Sequence, residues 1–507
     1  MNQTNALIIL VKSLTKAEKR YFRLQTNLQS GEKVYLALFD LLDADRSPED
    51  AYAQFEKDQG GRCVEMATKH LYRNLLDCLV RLREKQDMQT EICNRIAKAG
   101  ILFERGLAED SLEQLSKAKQ LATDFEYDLL LQLIRRTELK YLSACNFKGV
   151  SERELVGKQM KINEIMRHSR SINQHLQLYD ILKHRLIYKG YARSDKQKED
   201  LNDLLLSELH LIANTSYRGF EAQKLHLLFQ ATYDLNSGNY KLAIRYYQEL
   251  ISLFEENRHL LLNPPVYYLS AIKGILDSLQ NAGLYKDMLF FLSKLSEIAR
   301  GDYPTEFTLS VRTQLYLYES SCLIHTGDFE KAQHLMHEAG EGVFKKMPLL
   351  GLEDQLKLHL SSAILYISQG EYVSARKWMR NIFGSGKLFH VFPSYKTARL
   401  VNLILQAELG NYDFFENEIH AIKRNIHYEK QVYATEKLLF KFIHAYPLPS
   451  YEKSRRKLWN QFHKDFAPIQ QSKYEGRLLR IFDFLAWIEY KLTRRPLAEI
   501  LQEKNSR

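Results

Sequence analysis

Apolar residues recur every three or four positions along most of this chain, which is the spacing of one face of an α-helix. A representative stripe consists of Ala243, Tyr246, Tyr247, Leu250, Ile251 and Phe254. We find no convincing run of alternating apolar and polar residues of the kind that indicates a β-strand. The pattern therefore predicts an all-α fold.

Glycines at even intervals interrupt this helical pattern. Eight of them lie 40–48 residues apart, and several begin the sequence Gly-polar-aromatic-x-x-small. They are Gly106, Gly149, Gly190, Gly238, Gly283, Gly327, Gly370 and Gly410. Glycine adopts the left-handed conformation that ends many helices. We expect the polar residue after it to cap the next helix.

Prolines mark a second kind of break between residues 230 and 446. The five in this region are Pro264, Pro265, Pro304, Pro348 and Pro393. Each falls between the second helix of one predicted pair and the first helix of the next, where a helix has to stop. The alternation of glycine and proline predicts an α-solenoid of antiparallel helix pairs, with repeats of 40–48 residues and helices of about 17–19 residues.

Two segments, Leu225–Phe254 and Lys357–Ile382, resemble tetratricopeptide (TPR) repeats. The matching residues are Ala231, Gly238, Tyr240, Ala243 and Tyr247 in the first, and Ala363, Tyr366, Gly370, Tyr372 and Ala375 in the second. The resemblance covers about residues 225–425 and is weaker over 92–190. TPR units have 34 residues, so these longer repeats are TPR-like. The whole chain is also similar to an uncharacterised bacterial family of cytoplasmic TPR-like proteins, particularly over residues 11–22.

The ends of the chain do not share the repeat. We predict an N-terminal helical domain over residues 1–90, the solenoid over 91–446 and a basic C-terminal helical cap over 447–507. In the first domain, Thr15 and Glu18 form a capping box, and Ser47 caps a helix that has Pro48 at its first position. A long helix is expected from about Cys63 to Lys85.

The N-terminal domain has two interpretations. It caps the solenoid, as terminal repeats require, or it is a helix-turn-helix whose second helix presents basic residues to DNA. Those residues are Arg62, Lys69, His70 and Arg73.

Charge is concentrated at the C-terminal end. The chain has 72 basic and 62 acidic residues, a formal net charge of +10, and residues 441–507 hold 14 basic and 7 acidic residues. A candidate basic patch consists of Lys453, Arg455, Arg456 and Lys457. A basic helix of this kind binds phosphate groups or acidic partners, or it is a solvated terminal helix.

The sequence favours a cytoplasmic protein without chemistry of its own. It has no basic, strongly apolar leader and no stretch of about 20 apolar residues that would span a membrane. The five cysteines are widely spaced and include no C-x-x-C pair. No nucleotide-binding, zinc-protease or nucleophile-elbow motif is present. We therefore expect no enzymatic activity, cofactor or metal.

The TPR resemblance implies that the first helix of each pair builds an inner face that binds peptides. Counting back from each turn glycine gives ten candidate residues: Leu228, Thr232, Lys273, Asp277, Leu317, Ser321, Leu360, Ile364, Leu400 and Ile404. Only Lys273 resembles the residues that clamp a terminal carboxylate in TPR domains, so such a clamp is not expected. A mostly apolar groove suits an amphipathic helix or an apolar peptide. Alternatively, the longer helices bury these residues within the array.

Two functions follow from these patterns. The first is a non-enzymatic helical-repeat scaffold that binds a protein or peptide through the inner face of the solenoid. The second is a TPR-type transcriptional regulator that binds DNA through its N-terminal region. If the groove is open, Leu360→Glu and Ile364→Glu abolish partner binding without unfolding the protein.

Overall fold

The computed structural model describes residues 3–27, 34–44, 47–59, 61–83, 87–189, 192, 194–214, 219–261, 264–429 and 433–506. Within these ranges the regular structure is helical and no β-strand occurs. The predicted all-α class is confirmed. The chain divides into two compact units, built mainly of residues 1–170 and 171–507.

The first unit begins with helices packed around their own apolar core, which contains Leu7, Phe22, Phe39 and Leu71. Both predicted helix starts are confirmed. The backbone N–H of Glu18 donates to Thr15 Oγ1 at 3.2 Å, and that of Asp50 donates to Ser47 Oγ at 3.1 Å. The helices are α1 (Gln3–Ser13), α2 (Lys16–Asn27), α3 (Val34–Asp43), α4 (Pro48–Gln59), α5 (Gly61–Arg83), α6 (Met88–Glu104), α7 (Ala108–Asp124), α8 (Asp128–Ala144) and α9 (Glu152–Lys189), whose later residues belong to the second unit.

The second unit continues with helices that pack in neighbouring pairs, among them α12 with α13, α14 with α15 and α18 with α19. Its helices are α10 (Asp195–Glu199), α11 (Asn202–Asn214), α12 (Phe220–Asn236), α13 (Tyr240–Glu256), α14 (Val266–Ala282), α15 (Tyr285–Ala299), α16 (Thr305–His325), α17 (Phe329–Glu338), α18 (Leu352–Ser368), α19 (Tyr372–Phe383), α20 (Pro393–Glu408), α21 (Phe414–Glu429), α22 (Ala434–Ile443), α23 (Glu452–Phe462), α24 (Phe466–Gln471), α25 (Gly476–Leu479), α26 (Phe484–Thr493) and α27 (Leu497–Ser506).

The turn glycines adopt the conformation that the sequence predicts. Gly106, Gly149, Gly238, Gly283, Gly327, Gly370 and Gly410 all have φ between 75° and 80°. Gly190 lies outside the described residues. Because a side chain resists this left-handed conformation, glycine ends each of these helices cleanly.

The predicted capping by the polar residue after the glycine is wrong. Neither Asn239, Asp328 nor Glu371 accepts a side-chain cap hydrogen bond from the following helix. Instead, the backbone N–H of Asn239 donates back to the carbonyl of Asp234 at 2.9 Å, and that of Glu371 to the carbonyl of Tyr366 at 2.8 Å. The left-handed turn directs this N–H towards the carbonyls at the end of the preceding helix.

Residues 473–505, here called the C-terminal segment, run back along the turns of three preceding helix pairs. A Cβ on Gly238 would lie 3.2 Å from the carbonyl oxygen of Lys473, and one on Gly283 would lie 2.5 Å from Nη2 of Arg480. A Cβ on Gly327 would lie 2.6 Å from the carbonyl oxygen of Ala498. These three glycines therefore serve two purposes, because they reverse the chain and leave room for the segment.

Apolar side chains hold the C-terminal segment in place. Phe484, Leu485 and Trp487 of α26 are at most 1% exposed and belong to the same core cluster as Leu400 and Ile404 of α20. Trp487 Nε1 also donates to Glu408 at 2.9 Å, and Lys491 Nζ reaches the other oxygen of that carboxylate at 2.7 Å. The segment is thus part of the core of the second unit.

We predict that Gly274→Ala destabilises the second unit. A Cβ at this position would lie 2.1 Å from Cζ of Tyr247, which is 4% exposed. We expect a loss of about 1–3 kcal/mol in the free energy of unfolding from overpacking, measured by urea denaturation. In a Tyr247→Leu background, the same change is expected to cost nothing, since the ring is gone.

Gly157→Ala in α9 is the matched control. A Cβ there meets nothing within 4 Å, so alanine should stabilise the helix by up to about 1 kcal/mol. If Gly157→Ala and Gly274→Ala change the free energy of unfolding equally, α13 and α14 do not approach each other closely at Gly274.

We predict that acid weakens the second unit through His325. This imidazole is 3% exposed, stacks on Tyr285 and places its Nδ1 2.9 Å from the Ser321 carbonyl oxygen. Burial lowers its pKa, so below about pH 6.5 the unfolded chain takes up a proton that the folded chain excludes. The free energy of unfolding should therefore fall with decreasing pH, as measured by urea denaturation between about pH 8 and about pH 5.5.

The variant His325→Gln should make this decline shallower. His334→Gln, which removes a side chain that is 77% exposed, should keep the wild-type slope. If the slope of His325→Gln equals that of the wild type, His325 does not contribute.

Candidate functional site

The ten candidate residues lie on the first helices of five successive pairs, α12, α14, α16, α18 and α20. Five are buried: Leu228, Leu360, Ile364, Leu400 and Ile404. The other five are partly exposed: Thr232, Lys273, Asp277, Leu317 and Ser321. The alternative interpretation, in which the longer helices bury the candidate residues, is therefore correct for five of the ten.

Six of the ten candidates line a single cavity of about 250 Å³. They are Asp277, Leu317, Ser321, Leu360, Ile364 and Leu400. The wall thus draws on α14, α16, α18 and α20 and combines aliphatic side chains with a carboxylate and a hydroxyl. Leu228, Thr232, Lys273 and Ile404 lie outside this wall.

Hydrogen bonds between helices fix the polar part of the wall. Tyr318 donates to Asp277 Oδ1 at 2.8 Å, and Gln280 Nε2 donates to Ser321 Oγ at 2.7 Å. Burial and the neighbouring Asp277 carboxylate raise the pKa of Tyr318 well above its usual value, so Tyr318 remains a neutral donor. Each of these contacts joins α14 to α16.

The C-terminal segment supplies the remaining side of the cavity, through Arg477, Leu478, Arg480 and Ile481. Its position is fixed by polar contacts with the repeat helices. Arg477 Nη1 donates to Asn236 Oδ1 at 2.9 Å, and Gln280 Nε2 donates to the carbonyl of Arg480 at 3.2 Å. The Glu475 carboxylate accepts from the backbone N–H groups of Ala434 and Thr435, at 2.6 and 3.1 Å, and so caps α22.

Sequence reasoning missed the residues that the C-terminal segment contributes. The segment lies about 200 residues along the chain from the helices it contacts, and no repeat pattern connects the two. The only sequence signal is the apolar run around Trp487, which is unusual in an otherwise basic region.

Lys273 is half-buried on α14 but does not line the cavity. Burial lowers the pKa of its ammonium group, and the nearby positive charge of Lys357 lowers it further. No second basic candidate joins it in the set. The absence of a carboxylate clamp stays a prediction, because Lys357, Lys396, Arg477 and Arg480 also line the cavity.

The candidate basic patch lies on α23. Lys453, Arg456 and Lys457 are exposed, whereas Arg455 is partly buried and its Nε donates to the carbonyl of Pro449 at 2.7 Å. Trp459 anchors the other side of the helix by an edge-to-face contact with Phe466, with ring centroids 5.5 Å apart. The patch is therefore a charged face of a packed helix.

The basic residues proposed to contact DNA lie on α5. Lys69 Nζ is 2.7 Å from Glu65, and Arg73 Nε is 4.0 Å from Asp77. The His70 ring packs 5.0 Å from that of Tyr35. The side chain of Arg62 lies outside the described residues. Lys69 and Arg73, the two cations described on this face of α5, each lie near a carboxylate.

Among the residues that the structure describes, no group of three or more His, Cys, Asp or Glu side chains could hold a metal ion. No helix in those ranges is both long and apolar enough to cross a membrane.

No protein-family model matches the sequence, and no curated protein matches it either. A functional proposal therefore has to be argued from the geometry of the chain itself.

Proposed function

We propose that this chain is a non-enzymatic, TPR-like helical-repeat scaffold that binds another protein or peptide at the inner helices of its second unit. The observation that carries the proposal is the cavity that six independently chosen candidate residues share. The widely spaced cysteines and the bacterial TPR-like resemblance support a cytoplasmic location.

The size of the cavity limits what it binds. At about 250 Å³ it is slightly smaller than a typical pocket for a drug-sized ligand, which measures about 300–1,000 Å³. It therefore suits one or two side chains of a partner better than a whole helix. Leu317, Leu360 and Leu400 would contact the apolar body of such a side chain.

The polar wall would select the end of the inserted side chain. Ser321, Gln280 and Asp277 already bond to each other or to Tyr318, and the remaining lone pairs of their oxygens can accept a hydrogen bond from a polar tip. A side chain with an apolar body and a hydrogen-bonding end, such as tyrosine or tryptophan, matches this lining. Such anchors commonly supply most of the binding energy of an interface.

We predict that Ser321→Trp blocks the cavity and abolishes partner binding. Ser321 is partly exposed, so the indole can occupy the cavity and compete with the partner's anchor. Proteins retained from the native cell by the wild-type chain and by the variant would be compared by mass spectrometry. The partner identified in this way would then be titrated against both, with an expected loss of affinity of roughly tenfold or more.

The matched control is Ser293→Trp, the same substitution at an exposed serine on α15, away from the cavity. It should retain every partner of the wild type. The proposal fails if no protein distinguishes the two variants while circular dichroism shows that both keep their helicity.

The structure changes the expected result of Leu360→Glu and Ile364→Glu. Both residues are 3% exposed and belong to the main core cluster. A carboxylate without a partner at either position should cost about 3 kcal/mol or more. Thermal unfolding followed by circular dichroism should show a marked decrease in stability, and a wild-type melting curve would contradict their burial.

A further inference from the structure

A second cleft, of about 600 Å³, lies beside the second helices α19 and α21 and over the first helix α20. Three helices each contribute one stripe of residues to it. The α19 stripe consists of Arg376, Met379, Arg380 and Phe383, the α20 stripe of Tyr395, Lys396, Arg399, Asn402 and Gln406, and the α21 stripe of Phe414, Glu418 and Ile422. His390 and Glu436 complete the lining. The stripe on α20 is about 16 Å long, since a helix rises about 1.5 Å per residue.

The floor of the cleft is apolar and aromatic. Phe383, Tyr395 and Phe414 are each partly exposed, and the rings of Phe383 and Tyr395 meet edge to face with centroids 5.8 Å apart. Parallel stripes on three helices with an apolar floor form the kind of groove that accepts an amphipathic helix.

The two rims of the cleft differ in charge. On α21, Glu418 accepts from Arg399 Nε at 2.6 Å, so these two charges compensate each other. On α19, Arg376 and Arg380 are exposed, and neither forms an ion pair with any residue the structure describes. One turn apart, they make the α19 rim positive, whereas the charges that the structure describes on the α21 rim compensate each other.

We propose that this cleft is a docking site for an amphipathic helix of another protein, with its apolar face against Phe383, Tyr395 and Phe414 and an acidic flank against Arg376 and Arg380. The charge asymmetry fixes the flank, because acidic residues next to α19 would gain an attraction that the compensated α21 rim does not offer. The apolar floor favours a protein helix over a nucleic-acid duplex, whose phosphate backbone would leave the aromatic rings uncovered. The cleft shares Lys396 and Glu436 with the wall of the inner cavity, but all of its other lining residues differ, so it is a separate binding surface.

The test uses the full chain and two fluorescent helical peptides of about 14 residues, roughly 21 Å long. Both carry leucines at the i, i+3, i+4 and i+7 positions; one has glutamates along a single flank and the other has lysines there. Stopped-flow anisotropy at low and moderate salt gives association rates. We expect the acidic peptide to bind at least roughly tenfold more tightly than the basic one, with an association rate that falls as salt increases.

Two double variants locate the binding. Arg376→Glu with Arg380→Glu should slow association of the acidic peptide by roughly tenfold and flatten its salt dependence. Arg167→Glu with Arg170→Glu makes the same charge change at exposed arginines one turn apart on α9, and it should change the association rate less than about twofold. Circular dichroism confirms that each variant is folded.

Several results would overturn the proposal. The first two are equal binding of the two peptides and no binding of either. A third is a loss of binding with the α9 variant as large as with the α19 variant. A fourth is displacement of the acidic peptide by a single-stranded oligonucleotide whose own binding depends on Arg376 and Arg380. Blocking the inner cavity with Ser321→Trp should leave peptide binding unchanged, so this proposal and the proposed function succeed or fail separately.

Discussion

The second unit depends on how the apolar faces of its first helices are covered. A helix pair cannot bury its own apolar surface, and stacking neighbours solves the problem only along the direction of the array. Here Leu400 and Ile404 of α20 share a core cluster with Phe484, Leu485 and Trp487 from the C-terminal segment. The same chain therefore covers a large part of the surface that an extended solenoid would present to solvent.

This covering explains why the inner face is neither a fully open groove nor a closed core. Where apolar residues of the segment contact the helices, candidates such as Ile404 are completely buried. Elsewhere the segment presents two arginines: Arg477 donates to Asn236, and Arg480 lies against Gly283. A cavity remains beneath these long polar side chains. The composition of the segment thus sets both the position and the size of the cavity.

Local sequence patterns predicted the helices, the left-handed turns at glycines such as Gly283, the capping box at Thr15 and the N-cap at Ser47. Each depends on residues only a few positions apart. The close approach of Gly274 to Tyr247 was not predicted, because Gly274 looks like an ordinary residue inside a helix and its contact comes from the preceding helix, α13.

The same limit applies to the candidate site. Counting back from the turn glycines identified six residues of the cavity wall, since repeats place equivalent residues on one face. It could not separate Leu400, which is buried, from Ser321, which is partly exposed. Neither the path of the C-terminal segment nor the cleft between α19 and α21 follows from the period of the repeat.

The order of the chain has a consequence for synthesis. Residues 473–505 leave the ribosome after all of the helices that they cover, from α12 to α20. Until then, the apolar faces of those helices stay open to solvent, although the helix pairs themselves can already form. The nascent chain therefore passes through a state with much more exposed apolar surface than the finished protein, and such surfaces are the ones that chaperones protect from aggregation.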